Sequence, residues 1–298
     1  MKKNSESLFL GIRGLKYHVR RWAYAGAPKV VLLHGWMDVS ASFQFLVEAL
    51  RRDWDVYAPD WRGYGLTEWG RSDCYWFADY IADLDVLLNE IAAEKPVHLV
   101  GHSLGGNVAA LYAGIRPERV ARLVNLEGFG LPPSRPDQAP KRYRQWLDEL
   151  HEPPQLRPYK DFLELSKKLQ SNNPRLTDER ARFLAEHWGR EESGKVVLRG
   201  DPAHKIVNPL LYRYEEVRAC WREVSAPVLW VDAADSDTLK RMGMDASQQA
   251  ERRAAFRSLR HVTVRDAGHM LHHDQPELVA GLVEQFLNEV EPARISRQ

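Results

Sequence analysis

The stretch 97–108, reading VHLVGHSLGGNV, limits what this chain can fold into more than any other. The apolar residues before Gly101 read as a strand buried in a sheet, and the small residues 106–114 read as a helix. Glycines two before and two after Ser103 allow a strand to turn sharply into a helix where a Cβ would collide. Such a turn holds the Ser103 hydroxyl on a strained elbow beside a helix N-terminus, where negative charge is favoured. A lone G-x-S-x-G occurs by chance in many chains, but the flanking strand and helix supply the context the motif needs. The alternative is an inert serine in a glycine-rich connection.

The segments around this elbow alternate between strand and helix. Leu15–Trp22 reads as an edge strand, 29–33 as a central β-branched strand and 54–58 as another, broken by Pro59. A helix is expected over about 41–51 from Phe43, Leu46, Val47 and Leu50. Over 77–91, Phe77, Tyr80, Ile81, Leu84, Leu87, Leu88 and Ile91 share one helical face, with Asp79, Asp83, Asp85 and Glu90 away from it. A strand at 120–126 then ends at Glu127-Gly128-Phe129-Gly130. Strand, helix and strand at this spacing describe parallel βαβ units with helices on both faces of the sheet.

Composition changes at Leu131, where proline, charge and helical patterns take over until about Cys220. Helices are expected at 141–150, 159–172 and 177–188. A helical block between two sheet strands reads as an insertion over one end of the sheet, so the sequence divides into a core of 1–130 and 221–298 and a cap, or lid, of 131–220. The sheet resumes at 227–231, a helix follows over 246–259, and the last strand is expected at 262–264. A final helix starts near Pro276, and 291–298 reads as a frayed tail.

A serine hydroxyl needs a base to take its proton, and the base needs an acid that fixes its tautomer. Ser103 is the candidate nucleophile. His269 is the candidate base, because it follows the last strand in a glycine-containing loop. The loop after the penultimate strand offers Asp235 as the favoured acid, with Asp232 and Asp237 close by. Glu127, at the end of its own strand, is the alternative acid, able to reach the histidine from the other side or to anchor the cap's first turn. Oxyanion donors are expected at the backbone N–H groups of Leu104 and Trp36. His34, Trp36, His102, Trp61, Phe129, Trp146 and Trp188 are candidate pocket residues, with His34 also bracing its loop. His204 either faces the pocket or packs beneath the cap. His269, His272, His273 and Asp274 lie close in sequence, but no independent ligand set points to zinc, so neither metal nor cofactor is expected.

A net charge of +1 argues against nucleic acid or an anionic membrane as partner. No stretch approaches the length of a membrane span, and Leu8-Phe9-Leu10 is short for a secretory core. With only Cys74 and Cys220 present, far apart, a disulfide framework is not expected. A cytoplasmic protein acting on a small molecule is the resulting expectation, with the oligomeric state unread.

The HGW at 34–36, DWRGYG at 60–65, GHSLGG at 101–106 and GH at 268–269 together resemble the α/β-hydrolase fold superfamily, specifically its serine-hydrolase-like and epoxide-hydrolase-like cap-bearing members. The resemblance covers the chain apart from 131–220, where caps of this superfamily diverge. It implies a mostly parallel sheet flanked by helices, with the cap inserted between strands, and the chain order serine, acid, histidine. Epoxide hydrolases and haloalkane dehalogenases carry aspartate at the elbow, so Ser103 argues against both activities. The superfamily's G-x-x-D loop maps onto Asp232 to Asp235 without its glycine, and some dehalogenases carry their acid after the strand corresponding to that of Glu127. The expected activity is cleavage of a small to medium carboxylic ester through an acyl-enzyme on Ser103, with an apolar acyl or alcohol group. The same three groups serve lactones, thioesters, amides and carbon–carbon bonds, and a non-catalytic ligand-binding protein on this fold is the rival of another class.

Overall fold

A computed structural model of the chain describes residues 3–93 and 95–289. Eight strands form one sheet: β1 (Glu6–Ile12), β2 (Leu15–Trp22), β3 (Lys29–Leu33), β4 (Asp55–Pro59), β5 (Val97–His102), β6 (Val120–Leu126), and two more introduced below. The strand after residue 12 turns back at once, so β1 and β2 form an antiparallel hairpin, and β2 pairs antiparallel with β4. From β4 onward every pairing is parallel. β2 was expected at an edge and is internal, because β1 covers it; Leu8, Leu10 and Ile12 alternate with exposed residues, the pattern of a half-buried strand.

Parallel strands need crossovers, and the crossovers supply the helices that cover both faces. α1 (Gln44–Ala49), α2 (Phe77–Ala92) and α3 (Leu104–Ile115) fall in the first half. Along β3, Val30 and Leu32 join Phe43, Leu46, Val100 and Val124 on one side, while Val31 and Leu33 join Leu84, Leu88, Val108 and Leu123 on the other. The period of two therefore feeds two cores from one strand. The expectation that Asp83 of α2 lies away from the buried face is corrected. It is buried, bonded by Tyr17 Oη at 3.1 Å and by the Arg62 guanidinium, with Nε at 2.5 Å. A buried carboxylate is tolerable when a cation and a hydroxyl meet it in this way.

After β6 the chain leaves the sheet for α4 (Ala139–His151), α5 (Phe162–Asn172), α6 (Asp178–Trp188) and an antiparallel ribbon, β7 (Gly189–Glu192) with β8 (Lys195–Leu198). Thr177 caps α6 by accepting from the Arg180 N–H. α5, α6 and β8 enclose a small core of their own, including Leu165, Leu169, Leu184 and Val196. This is the inserted cap. α7 (Tyr214–Arg222) straddles the boundary expected at residue 220, and its Trp221 is fully buried against Trp230 and Phe256 of the sheet domain.

The sheet resumes with β9 (Val228–Ala233), then α8 (Thr238–Arg241), α9 (Ala246–Arg253) and β10 (Leu259–Val264). α10 (Leu271–Asp274) and α11 (Pro276–Leu287) complete the described residues. Helix α9 is shorter, and β10 longer, than the sequence pattern suggested. The tail expected at 291–298 lies outside the described residues. Among the described residues, no helix is long and apolar enough to cross a membrane. The strand order is β1-β2-β4-β3-β5-β6-β9-β10. In a parallel sheet the carboxyl ends of β3, β5, β6, β9 and β10 open on one edge.

Candidate active site

Ser103 sits between β5 and α3 at φ 52°, ψ −115°. Strain of this kind costs on the order of 1–3 kcal/mol and persists only where neighbours enforce it. Here they do: a Cβ at Gly101 would strike the Gly105 carbonyl, and one at Gly105 would strike the Leu33 carbonyl. The Ser103 N–H donates to Leu126 O at 2.8 Å, which ties the elbow to β6.

His269 follows β10 in the loop that starts α10. Its Nε2 lies 3.0 Å from Ser103 Oγ, so the two residues expected to pair are within hydrogen-bond distance. Its Nδ1 lies 3.1 Å from Oε2 of Glu127. Glu127 is 2% exposed and stands at φ 57°, just past β6. The Asn125 side chain explains that turn: its Oδ1 accepts from Gly128 N–H at 2.8 Å and its Nδ2 donates to Gly128 O at 2.9 Å. Glu127 Oε1 accepts from Ala233 N–H at 2.7 Å, and Oε2 accepts from Ser236 Oγ at 2.5 Å. These donors fix the carboxylate facing the imidazole.

The favoured acid, Asp235, is not at the histidine. Its backbone N–H donates to Ala267 O at 3.0 Å, while its half-exposed carboxylate pairs with Arg175 of the cap at 2.6 Å. Two forces place it there: the cap guanidinium draws it outward, and the room beside Nδ1 is already filled by Glu127. Asp232 is held by Trp230 Nε1 and His261 Nε2, each at 2.7 Å, and Asp237 pairs on the surface with Arg241 at 3.0 Å. The carboxylate that meets His269 is the alternative, Glu127.

Ser103 and His269 line a cavity of about 550 Å³. Its apolar lining includes Trp36, Trp76, Phe77, Leu104, Leu131 and Met242, and Asn107, Asn208, Thr238 and Arg241 are among its polar residues. Leu104 opens α3, so its N–H has no intrahelical acceptor. Gly35 brings the Trp36 loop against the elbow, since a Cβ there would lie 3.3 Å from Ser103 Cβ. Trp36 Nε1 donates to His204 O at 3.3 Å, joining two residues of the lining.

His34, His102, Trp61, Phe129, Trp146 and Trp188, also expected in the pocket, do not line this cavity. His34 and Trp61 brace each other beneath it: His34 Nε2 accepts Trp61 N–H at 2.9 Å, and Trp61 Nε1 donates to His34 O at 3.0 Å. Burial pushes His34 down to about 4, which keeps the ring neutral, so that Nε2 can accept from Trp61 N–H while Nδ1 donates to Gly35 O at 2.8 Å. Phe129 packs on Trp230, Trp188 Nε1 points to Ser42 Oγ at 3.4 Å, and Trp146 lies on α4, which buries no residue fully. His102 is buried, its Nε2 2.8 Å from His269 O. A large aromatic satisfies either a core or a pocket, and the linear sequence does not separate the two.

Of the two places the sequence left open for His204, the cavity wall is the one it takes, while Tyr75, Phe77, Tyr80 and Leu131 line the same wall without having been expected there. His204 stacks between Tyr64 and Tyr75 at centroid distances of 3.7 and 3.9 Å. Its ring nitrogens meet Arg62 O at 3.1 Å and Tyr80 Oη at 3.2 Å, and burial pushes it down to about 3. The same cap segment is pinned to the core by Asp201 N–H to Gly63 O and Gly65 N–H to Arg199 O, both at 2.8 Å. The sequence signal was Asp201-Pro202, a helix-start pair that fixes the turn carrying His204.

His272 and His273 are buried in the short helix α10, ahead of the last helix. Among the described residues, the metal-ligating types that come together are Asp38, His102 and His272, each with one donor atom within 4.8 Å of the others. His269, His273 and Asp274 are not in that group.

A strained serine at a strand-to-helix elbow, a histidine from the last strand's loop and a buried carboxylate, under a cap on a parallel sheet, define the class of α/β proteins to which the sequence motifs pointed. The sequence profile described as "alpha/beta hydrolase fold" matches residues 28–276, and the chain belongs to that family. It is 27% identical over 290 residues to a serine hydrolase-like protein of Danio rerio, covering 93% of this chain and 86% of that protein. Among solved structures, a thioesterase domain from the curacin biosynthetic pathway superposes with a TM-score of 0.83 at 22% identity, covering 94% of this chain and 99% of that one. A Mycobacterium tuberculosis esterase does so with a TM-score of 0.74 at 22% identity, covering 96% and 92%. At these identities the structural likenesses speak to the fold.

Proposed function

We propose that the chain is a serine hydrolase that cleaves a small to medium carboxylic ester through an acyl-enzyme on Ser103. The observation that carries this reading is the continuous line from Ser103 Oγ to His269 Nε2, 3.0 Å, and from His269 Nδ1 to Glu127 Oε2, 3.1 Å, at the wall of an apolar cavity. Glu127 accepts a hydrogen bond from Nδ1–H, which fixes the tautomer that leaves Nε2 a lone pair facing the serine. His269 takes the hydroxyl proton as Oγ bonds to the ester carbonyl carbon. The oxygen that becomes negative is received by the N–H groups of Leu104 and Trp36. Collapse breaks the carbon–oxygen bond, His269 returns the proton to the departing alcohol, and the acyl group remains on Ser103. A water then gives a proton to His269 and attacks the acyl carbon; as the bond from that carbon to Ser103 Oγ breaks, His269 returns the proton to Oγ, which releases the acid and restores the serine. Glu127 stabilises the imidazolium at both stages. The cavity's apolar wall suits an apolar acyl or alcohol group. The names of the Danio rerio relative and of the esterase and thioesterase neighbours agree with this chemistry.

A fluorophosphonate tests the reading, because it phosphonylates an activated serine. One adduct on Ser103, absent in Ser103→Ala and His269→Ala, is the expected result. Absence of reaction in folded wild type overturns the reading in favour of a ligand-binding protein. A panel of esters graded by acyl length, with lactone, thioester and amide arms, then fixes the bond and the size of the acyl group.

A further inference from the structure

We propose that Asp38, His102 and His272 form a buried site for one divalent transition-metal ion, with zinc as the best fit, behind the elbow and separate from Ser103, His269 and Glu127. The three come from different places: the loop after β3, the last residue of β5, and α10. All are at most 2% exposed, and one donor atom of each lies within 4.8 Å of those of the other two.

Four atoms here lack any hydrogen-bond partner: Asp38 Oδ2, His102 Nδ1, and both ring nitrogens of His272. Buried polar atoms are satisfied in the great majority of cases, so a cluster of orphans on convergent groups marks a place for a small bound species. The groups around them are already arranged as metal ligands usually are. His102 Nε2 is engaged with His269 O at 2.8 Å; donation of its proton there leaves Nδ1 as a lone pair. A ligating histidine commonly donates its other N–H to a backbone carbonyl in this manner. Asp38 Oδ1 accepts from Val39 N–H at 2.8 Å and from the Ser42 hydroxyl, which anchors the carboxylate and leaves Oδ2 free. Two imidazoles and one carboxylate are a donor set that zinc accepts, with a fourth position for water. Without a cation, the buried carboxylate is costly.

Zinc bonds of roughly 2.0–2.2 Å place tetrahedral ligands about 3.4 Å apart, so binding draws these atoms inward by less than about an ångström each. Gly35 leaves room at the histidine: a Cβ there would stand only 3.0 Å from His102 Nδ1. A bound ion would join the loop of the Trp36 oxyanion donor, the nucleophile's strand and the helix that follows His269.

The test uses the full chain, stripped with a chelator, dialysed against zinc and then freed of excess, with bound zinc measured per chain. About one tightly held zinc is expected in wild type, with Tm raised by about 5 °C at a hundredfold excess over Kd. Asp38→Asn and His272→Gln should lose both effects, while the surface control His261→Gln keeps them. X-ray absorption on wild type should show mixed nitrogen and oxygen ligands near 2.0–2.1 Å, and this decides the matter should both variants fail to fold. Absence of retained zinc, equal retention in folded Asp38→Asn, or a high-resolution crystal structure of the zinc-treated protein with only water among the three groups overturns the proposal.

Discussion

Two loops at the same sheet edge each offer a carboxylate to His269, and they differ in what holds them. After β6, the Asn125 side chain clips Gly128 through two hydrogen bonds, Glu127 takes a positive φ, and its carboxylate is buried under the donors Ala233 N–H and Ser236 Oγ. After β9, Asp235 has the expected chain order, but its half-exposed carboxylate faces the cap and pairs with Arg175. Position along the chain brings a residue to the correct edge. The backbone turn and its local donors decide whether the side chain faces inward.

That contrast can be sharpened by substitutions of decreasing effect. Glu127→Asp withdraws the carboxylate by about one methylene while Asp235 stays intact. Misplacement of about an ångström costs roughly 10²-fold, so kcat/KM on an activated ester should fall by about that factor. Asn125→Ala removes the clip and leaves the buried Gly128 N–H and C=O unpaired. It should lower kcat roughly tenfold and destabilise the fold by about 1–3 kcal/mol, measured by kinetics and urea unfolding.

The cap also reaches the base loop. Asp274 Oδ2 accepts Gly268 N–H at 2.8 Å, and Oδ1 accepts Asn173 Nδ2 of the cap at 2.6 Å. An asparagine there has one acceptor oxygen for two donors, so Asp274→Asn should reduce kcat by about fivefold with little change in KM. Arg175→Ala breaks the contact that holds Asp235 outward. Both partners are well exposed, so the loss should be at most about 1 kcal/mol, seen as a Tm shift of no more than about 4 °C, with kcat/KM within about twofold.

Much of the fold was readable because the short apolar runs of β3, β5, β6 and β9 are what burial on both faces of a parallel sheet requires, and the helical stripe of α2 is what burial on one face requires. The elbow was readable because its glycines meet backbone atoms that no side chain could share. β1 was missed because three alternating apolar residues near a chain end make a faint pattern until β2 pairs with them. The ribbon of β7 and β8 was missed because its first strand, Gly189–Glu192, is mostly charged. Asp83 was misplaced because periodicity treats any carboxylate as solvent-facing and cannot anticipate Arg62 from a distant loop. The acid was legible only as a choice of loops, since the Asn125 clip and the Arg175 pairing join residues that periodicity does not relate. Trp36 reached the pocket as expected, whereas Trp61 and Phe129 did not for the same reason as the acid: they flank the site in sequence but pack on His34 and Trp230.

The central claim is that Glu127, and not Asp235, completes the line through His269 to Ser103. Stopped-flow measurement of the acylation rate constant, with a chromogenic ester on Glu127→Ala and Asp235→Ala side by side, tests it most directly. The account predicts a loss of roughly 10³–10⁴-fold for Glu127→Ala and less than about twofold for Asp235→Ala. A wild-type rate in Glu127→Ala, with the loss falling on Asp235→Ala, would contradict it.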